Sequence, residues 1–290
     1  MHAERTAELA ETRLVDPEAI TRAADRRRRA ESPVGESGKC FIIAADHPAR
    51  GALGTGGNPM AMADRGDLLD RLCTALANPG CNGVLATADI LEDLLLLGAL
   101  EGKAVFGSMN RTGLAGAAWE IDDRFAGMNA AGIERRRFDG GKTLTRIDYR
   151  DPATPSVLEN TAKAVDDLAA RGLIAMVEPF ISRREGGKVV NDLSTEAVVK
   201  SVAIASGLGG TSAYTWLKLP TAPDMERVAA ASTLPMVLLG GEVADLGAQR
   251  ESWAKSLALP GVVGLTVGRS LLYPDDGDVA GAIEAVVSLL

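Results

Sequence analysis

Eight short apolar runs punctuate the chain. They read CFIIAAD (40–46), NGVLATA (82–88), KAVFGSM (103–109), TLTRIDY (143–149), LIAMVEP (173–179), YTWLKLP (214–220), PMVLLGG (235–241) and VVGLTVG (262–268). Each has the length and side-chain type of a buried strand. Between most of them the apolar positions switch to helical spacing. DRGDLLDRLCTALANPG (64–80) ends in Asn-Pro-Gly, a stop signal. VLENTAKAVDDLAARG (157–172) closes on a glycine of the kind that follows helix C-termini. STEAVVKSVAIASGLG (194–209) opens on a cap-like serine, and APDMERVAAAS (222–232) and DVAGAIEAVVSLL (278–290) carry the same period. Strands alternating with helices imply a parallel sheet with right-handed crossovers, and eight strands close it into a (β/α)8 barrel. The alternative is a doubly wound open sheet. DHPARGALGTGG, after the first strand, lacks the G-x-G-x-x-G spacing expected there.

This pattern divides the chain into a helical extension over residues 1–38 and a barrel over 39–290. The extension is expected against the barrel bottom or a partner subunit. Residues 110–142 are too long for a bare strand-to-helix loop. They read as an insertion with a helix, placed over the catalytic face.

The length of 290 residues suits one barrel of about 250 residues plus an extension. Abundant Gly and only 4% aromatics favour tight-turned α/β architecture over a β-sandwich. The net charge of −8 argues against a nucleic-acid partner, which selects for basic faces. The basic run Arg26 to Arg29 reads as a solvated helix face. Three cysteines without metal spacing, and no signal-like start, suggest a cytoplasmic protein with reduced thiols. ILEDLLLLGAL (90–100) is too short to span a bilayer and holds two carboxylates, so it reads as a buried helix and no membrane partner is expected.

Chemistry in such a barrel collects at the strand C-termini. Read there, the first strand offers Asp46 and His47, the fourth Arg146 and Asp148, the fifth Glu178, and the sixth Lys218. Lys218 alternates with Leu217 and Leu219; if the leucines face the helices, the lysine faces the barrel axis. A desolvated amine has a lowered pKa and can attack a ketone. The alternative is a structural ion pair with Glu178 or Asp46. Glu178 can shuttle protons beside the amine, and Asp46 can handle a substrate hydroxyl or cap a turn. Gly240, Gly241, Gly268 and Arg269 follow strands seven and eight, where barrels often hold phosphate. Only two histidines, His2 and His47, are present. A metal site built on Asp46, His47 and Glu178 is therefore the weaker reading, and neither metal nor cofactor is expected.

The ordered set IIAADHPARGAL, AMVEPF, TWLKLP, VLLGGE and GLTVGRSLLY resembles the class I, Schiff-base aldolases of the (β/α)8 group. That group includes the tagatose-bisphosphate, sulfofructose-phosphate and archaeal-type fructose-bisphosphate aldolases. The resemblance implies Lys218 as the Schiff-base lysine, Glu178 as its proton-transfer partner and Asp46 as the strand-one aspartate. It implies Gly241, Gly268 and Arg269 as phosphate ligands; read from position alone, Gly240, His47 and Arg146 complete the substrate-binding candidates. The archaeal branch carries a tyrosine acid after strand five; EPFISRREGG has none, which favours the tagatose and sulfo-sugar branch. The whole chain also resembles actinobacterial barrel proteins encoded beside inositol-catabolism enzymes. That implies cleavage of 5-dehydro-2-deoxygluconate 6-phosphate to dihydroxyacetone phosphate and malonate semialdehyde, in a homo-oligomer. The substrate carboxylate would need a cation, for which Arg146, Arg124, Arg183 and Arg184 are available. A metal-dependent lyase or isomerase and a non-catalytic phosphosugar-binding barrel are the other readings.

Overall fold

The computed structural model describes residues 2–240 and 246–290. The strands are β1 (Cys40–Ala45), β2 (Gly83–Ala86), β3 (Ala104–Ser108), β4 (Gly140–Ile147), β5 (Ile174–Glu185), β6 (Lys188–Asn191), β7 (Thr215–Leu219), β8 (Met236–Leu239) and β9 (Val262–Val267). All but β6 pair in parallel around one closed circuit, with β4 bonded to β5 and β1 to β9. The fold is a (β/α)8 barrel. β6 pairs antiparallel with the far end of β5 and forms a hairpin that rises from the barrel rim.

Strand alternation sorts the side chains into two layers. Cys40, Ile42, Ala44, Leu85, Ala104, Phe106, Met176 and Val237 pack together inside the barrel. Their neighbours Phe41, Ile43, Val84, Val105, Val177, Leu217 and Leu219 join the larger core between sheet and helices. Helix starts are capped as the sequence demands. Asp64 accepts from Asp67 N–H at the helix Arg65–Ala77, and Ser194 accepts from Ala197 N–H at Thr195–Ser206. The apolar 90–100 stretch is helical only to Leu96, in the helix Ala88–Leu96 with Ile90 through Leu95 buried, and residues 97–100 turn out of it. Among the described residues no helix is long and apolar enough to cross a membrane.

Two readings of the sequence need correction. β4 begins at Gly140, three residues before the expected start. Gly140-Gly141 is not a turn: a Cβ on Gly140 would lie 2.4 Å from the Ile174 carbonyl oxygen, and one on Gly141 2.5 Å from Met109 Sδ. The glycines let β4 sit close to its neighbours, and this draws Lys142 into the strand. The second correction concerns the basic run. Arg27 is not solvated but 2% exposed. Its Nη1 donates to the Lys103 carbonyl at 2.9 Å, its Nη2 donates to the Arg137 carbonyl, and its guanidinium stacks over Phe138. The preceding helices His2–Val15 and Ala19–Arg26 are strapped to the barrel shell. Arg13 there donates to Asp93 at 2.8 Å.

Candidate active site

Above the apolar interior lies one polar layer. Trp216 and Phe106 meet at 6.4 Å between ring centroids and form part of its floor. One inward position above Trp216, Lys218 is 3% exposed, with Nζ 3.1 Å from Glu178 Oε1. Glu178 comes from β5, whose neighbours Met176 and Val177 divide between the interior and the helix side. Its other oxygen accepts from Lys142 of β4, and Lys142 Nζ also lies 3.2 Å from Asp46 Oδ2. Asp46, at the end of β1, further accepts from Arg111 and from Ser108 Oγ at 3.1 Å. A continuous chain therefore runs Lys218, Glu178, Lys142, Asp46, Arg111, all of it buried.

Burial is the largest influence on Lys218, Glu178, Lys142 and Arg111. It pushes the Lys218 ammonium below its ordinary pKa; Glu178 opposes that shift, while Arg111 and Arg269 add to it. Lys142 is pushed well below the usual amine range by burial and then by Arg111. Burial alone would raise the Glu178 carboxyl, but Lys142 and Lys218 together overcome it and hold the group below its usual range. Glu178 lies between the two amines and serves both, so the pair of lysines titrates together. Lys142 has two carboxylate partners and Lys218 has one. Burial and Arg111 depress Lys142 further than Lys218, so the two amines compete for the proton, and the second carboxylate contact of Lys142 is the geometric term that works for its charged form.

Three members of this layer, Lys142, Ser108 and Arg111, were not among the sequence candidates. Lys142 was hidden by the Gly-Gly pair, although its spacing of four from Arg146 puts both on one face of a strand. Of the remaining candidates, His47 lies beside Asp46, with Nδ1 3.8 Å from Asp46 Oδ1. Its imidazole is held neutral, well below its ordinary pKa, by burial and by the fields of Arg269, Lys218 and Lys142. Arg269 follows β9, and its Nη1 donates to the Gly54 carbonyl at 3.1 Å. Gly268 and Gly240 line the same end of β9 and β8. A Cβ on Gly268 would lie 2.1 Å from the Ala44 carbonyl oxygen, and one on Gly240 2.6 Å from Val267. Strand packing alone thus demands both glycines. Gly241 lies outside the described residues. Arg146 points inward from β4 and is 6% exposed, with Glu120 3.3 Å from its Nη2. Asp148 turns back on its own loop, accepting from Arg150 N–H at 2.9 Å.

Asp46 and Glu178 do not share a metal-like cavity, because the Lys142 ammonium stands between them. Among the described residues no three His, Cys, Asp or Glu side chains gather as a metal would require. A cleft of about 570 Å³ opens off the barrel axis, between the loop after β4 and the β5–β6 hairpin. Lys218 does not line it, and its Arg184 is paired with Asp151 at 3.0 Å.

The Cgl0159-like family model matches residues 38–287. The crystal structure of Cgl0159 from Corynebacterium glutamicum (Brevibacterium flavum) is 52% identical, with 99% of this chain and 96% of that one covered and a TM-score of 0.96. An archaeal fructose-1,6-bisphosphate aldolase, with its catalytic lysine bound to the carbinolamine intermediate, superposes at a TM-score of 0.64. It is 18% identical over 93% of this chain and 98% of that one. The fructose-bisphosphate aldolase of Slackia heliotrinireducens gives 0.67 at 13% identity, over 94% of this chain and 84% of that one. At such identities the likeness to the aldolases is one of fold. No curated protein sequence matches the chain.

Proposed function

The chain belongs to the Cgl0159-like family, and from that premise we propose that it is a Schiff-base aldolase. It would cleave a phosphorylated keto-sugar or keto-sugar acid to dihydroxyacetone phosphate and an aldehyde. The observation that carries this reading is the buried amine of Lys218, 3.1 Å from a carboxylate that a second lysine also holds. A structural ion pair needs one lysine; the second makes it easier for one amine to be neutral.

Neutral Lys218 attacks the ketone carbon, forming a C–N bond as the C=O π bond opens, and the resulting alkoxide takes a proton from solvent. Glu178, in reach of the nitrogen, accepts the proton that the amine sheds and returns it to the hydroxyl as water leaves. The resulting iminium is an electron sink. Asp46 takes the proton from the hydroxyl whose carbon becomes the aldehyde. The C–C bond breaks and its electrons pass into an enamine. Reprotonation and hydrolysis release dihydroxyacetone phosphate and restore the amine. Lys142, set between them, holds Asp46 and Glu178 in position for these transfers. Arg269 and the backbone at Gly268 and Gly240 would hold the phosphate. The preferred substrate is 5-dehydro-2-deoxygluconate 6-phosphate, which yields malonate semialdehyde as the aldehyde. The protein would work in the cytoplasm as a homo-oligomer, without a cofactor.

Borohydride reduction with dihydroxyacetone phosphate tests the reading. A stable adduct is expected on the peptide carrying Lys218, and none in Lys218→Ala. An adduct on Lys142 would reassign the nucleophile. No adduct, with phosphate binding intact, would leave a non-catalytic phosphosugar-binding barrel.

A further inference from the structure

Opposite the phosphate end of the mouth, one buried cation has donors to spare. Arg146 spends Nη2 on Glu120 at 3.3 Å, while its Nε and Nη1 have no hydrogen-bond partner among the described residues. Arg50 shares the same Glu120 oxygen at 2.8 Å and leaves its own Nε without a partner. The other arginines considered for a substrate acid are already engaged at the surface. Arg124 pairs with Asp122, Arg183 with Glu185, and Arg184 with Asp151. Buried guanidinium N–H groups are rarely left unmade, so this corner is complete only with an acceptor from outside the chain.

The barrel's closed order fixes where that acceptor would sit. Four strand steps separate β4 from β9 in either direction, so Arg146 and Arg269 face each other across the mouth. β7, which carries Lys218, lies midway between them. Arg146 pairs in register with Phe180, two residues above Glu178, and thus stands about 7 Å nearer the mouth than the proton-transfer group. Arg146, Arg50 and Arg111 against Glu120 and Asp123 leave one positive charge, the complement of a monoanion. Asp123, whose field also reaches Arg146, disfavours a dianion there.

We propose that Arg146, supported by Arg50 and Glu120, is a carboxylate-binding subsite that makes the enzyme specific for keto-sugar acids. The substrate would lie across the barrel, with its phosphate at β9, its ketone at Lys218 and its acid at β4. Both free nitrogens are closed to bulk water, so the carboxylate would reach them from the barrel axis, with Glu120 still holding Nη2. This inference rests on the aldolase reading and deepens it.

The test is condensation of dihydroxyacetone phosphate with malonate semialdehyde against propanal, its uncharged equivalent of equal carbon count. Wild-type protein should favour the acid in kcat/KM by on the order of 100-fold or more, because the neutral aldehyde leaves the site's donors unpaired. Arg146→Gln should bring the ratio close to one, and Arg146→Lys should fall between. Glyceraldehyde 3-phosphate preferred over malonate semialdehyde, no acid preference in wild type, or an unaltered ratio in Arg146→Gln would overturn the subsite. Borohydride trapping on Lys218 separates the two readings: an adduct without acid preference sinks the subsite alone. If neither aldehyde condenses, melting temperature decides. Millimolar 3-hydroxypropanoate, but not 1,3-propanediol, should raise that of wild type and not that of Arg146→Gln. Equal effects on both proteins, or none on either, would overturn the proposal.

Discussion

Replacing Glu178 by Gln removes one charge while keeping the side chain's size, and its consequences fall unequally on the two lysines. Lys142 keeps Asp46 at 3.2 Å, whereas Lys218 loses the carboxylate that stood 3.1 Å from its amine. An opposite charge at that range raises an amine's pKa by about 1–3 units, equivalent to about 1.4–4 kcal/mol. The Lys218 pKa, already below its ordinary value, should therefore fall further in Glu178→Gln. The assay is the pH dependence of borohydride trapping, read as the position of the inflection, since the height also loses the proton shuttle. The inflection should move down by about 1–3 pH units. Stability gives a second, independent reading. Stranding a buried charge costs about 3–5 kcal/mol, or roughly 5–8 °C in melting temperature for a chain of this size. The deficit is full while the variant's Lys218 is charged. It shrinks as pH rises from the variant's lowered pKa to the wild-type one, above which both amines are neutral. An inflection that moves upward, or a deficit independent of pH, would refute the reasoning.

Other perturbations test other parts of the molecule. His47 stays neutral in the fold but takes a proton near pH 6.5 once unfolded, so stability should fall by about 1.4 kcal/mol per pH unit below that point. Urea midpoints measured at neutral and mildly acid pH should show this slope in wild type and lose it in His47→Gln. Arg27→Met removes donors from the Lys103 and Arg137 carbonyls. It should cost about 3 kcal/mol by urea unfolding, with borohydride labelling of Lys218 retained where the protein is folded. Arg269→Ala should act on KM more than on kcat, raising KM for dihydroxyacetone phosphate in condensation on the order of 30-fold. An unchanged KM would remove Arg269 from the phosphate site.

The barrel was legible because its strands are unmixed apolar runs, and the positions of Asp46, Glu178 and Lys218 were legible because each ends or interrupts such a run. Lys142 was not. Its strand opens on Gly-Gly, which local reading takes as a turn; only the approach of Ile174 and Met109, distant in sequence, makes glycine the strand residue there. Arg111 and Ser108 were lost for a related reason. Ser108 closes β3 as one small polar residue in an apolar run, Arg111 opens a segment with no periodicity, and the role of both depends on Asp46, more than sixty residues earlier. Arg27 differs from Arg26, Arg28 and Arg29 in nothing that sequence displays. Its burial follows from which side of the last helical turn meets the barrel.

The Arg27 seal also bears on how the chain is made. Its carbonyl partner at Arg137 is 110 residues downstream. At ribosomal speeds of about 5–20 residues per second, that separation is roughly 5–20 s of synthesis. Through that interval the leading segment has left the exit tunnel with a guanidinium waiting for acceptors not yet translated. β1 waits longer still, for β9. Nascent protein should therefore expose its opening helices to proteases and chaperones until the fourth strand has emerged.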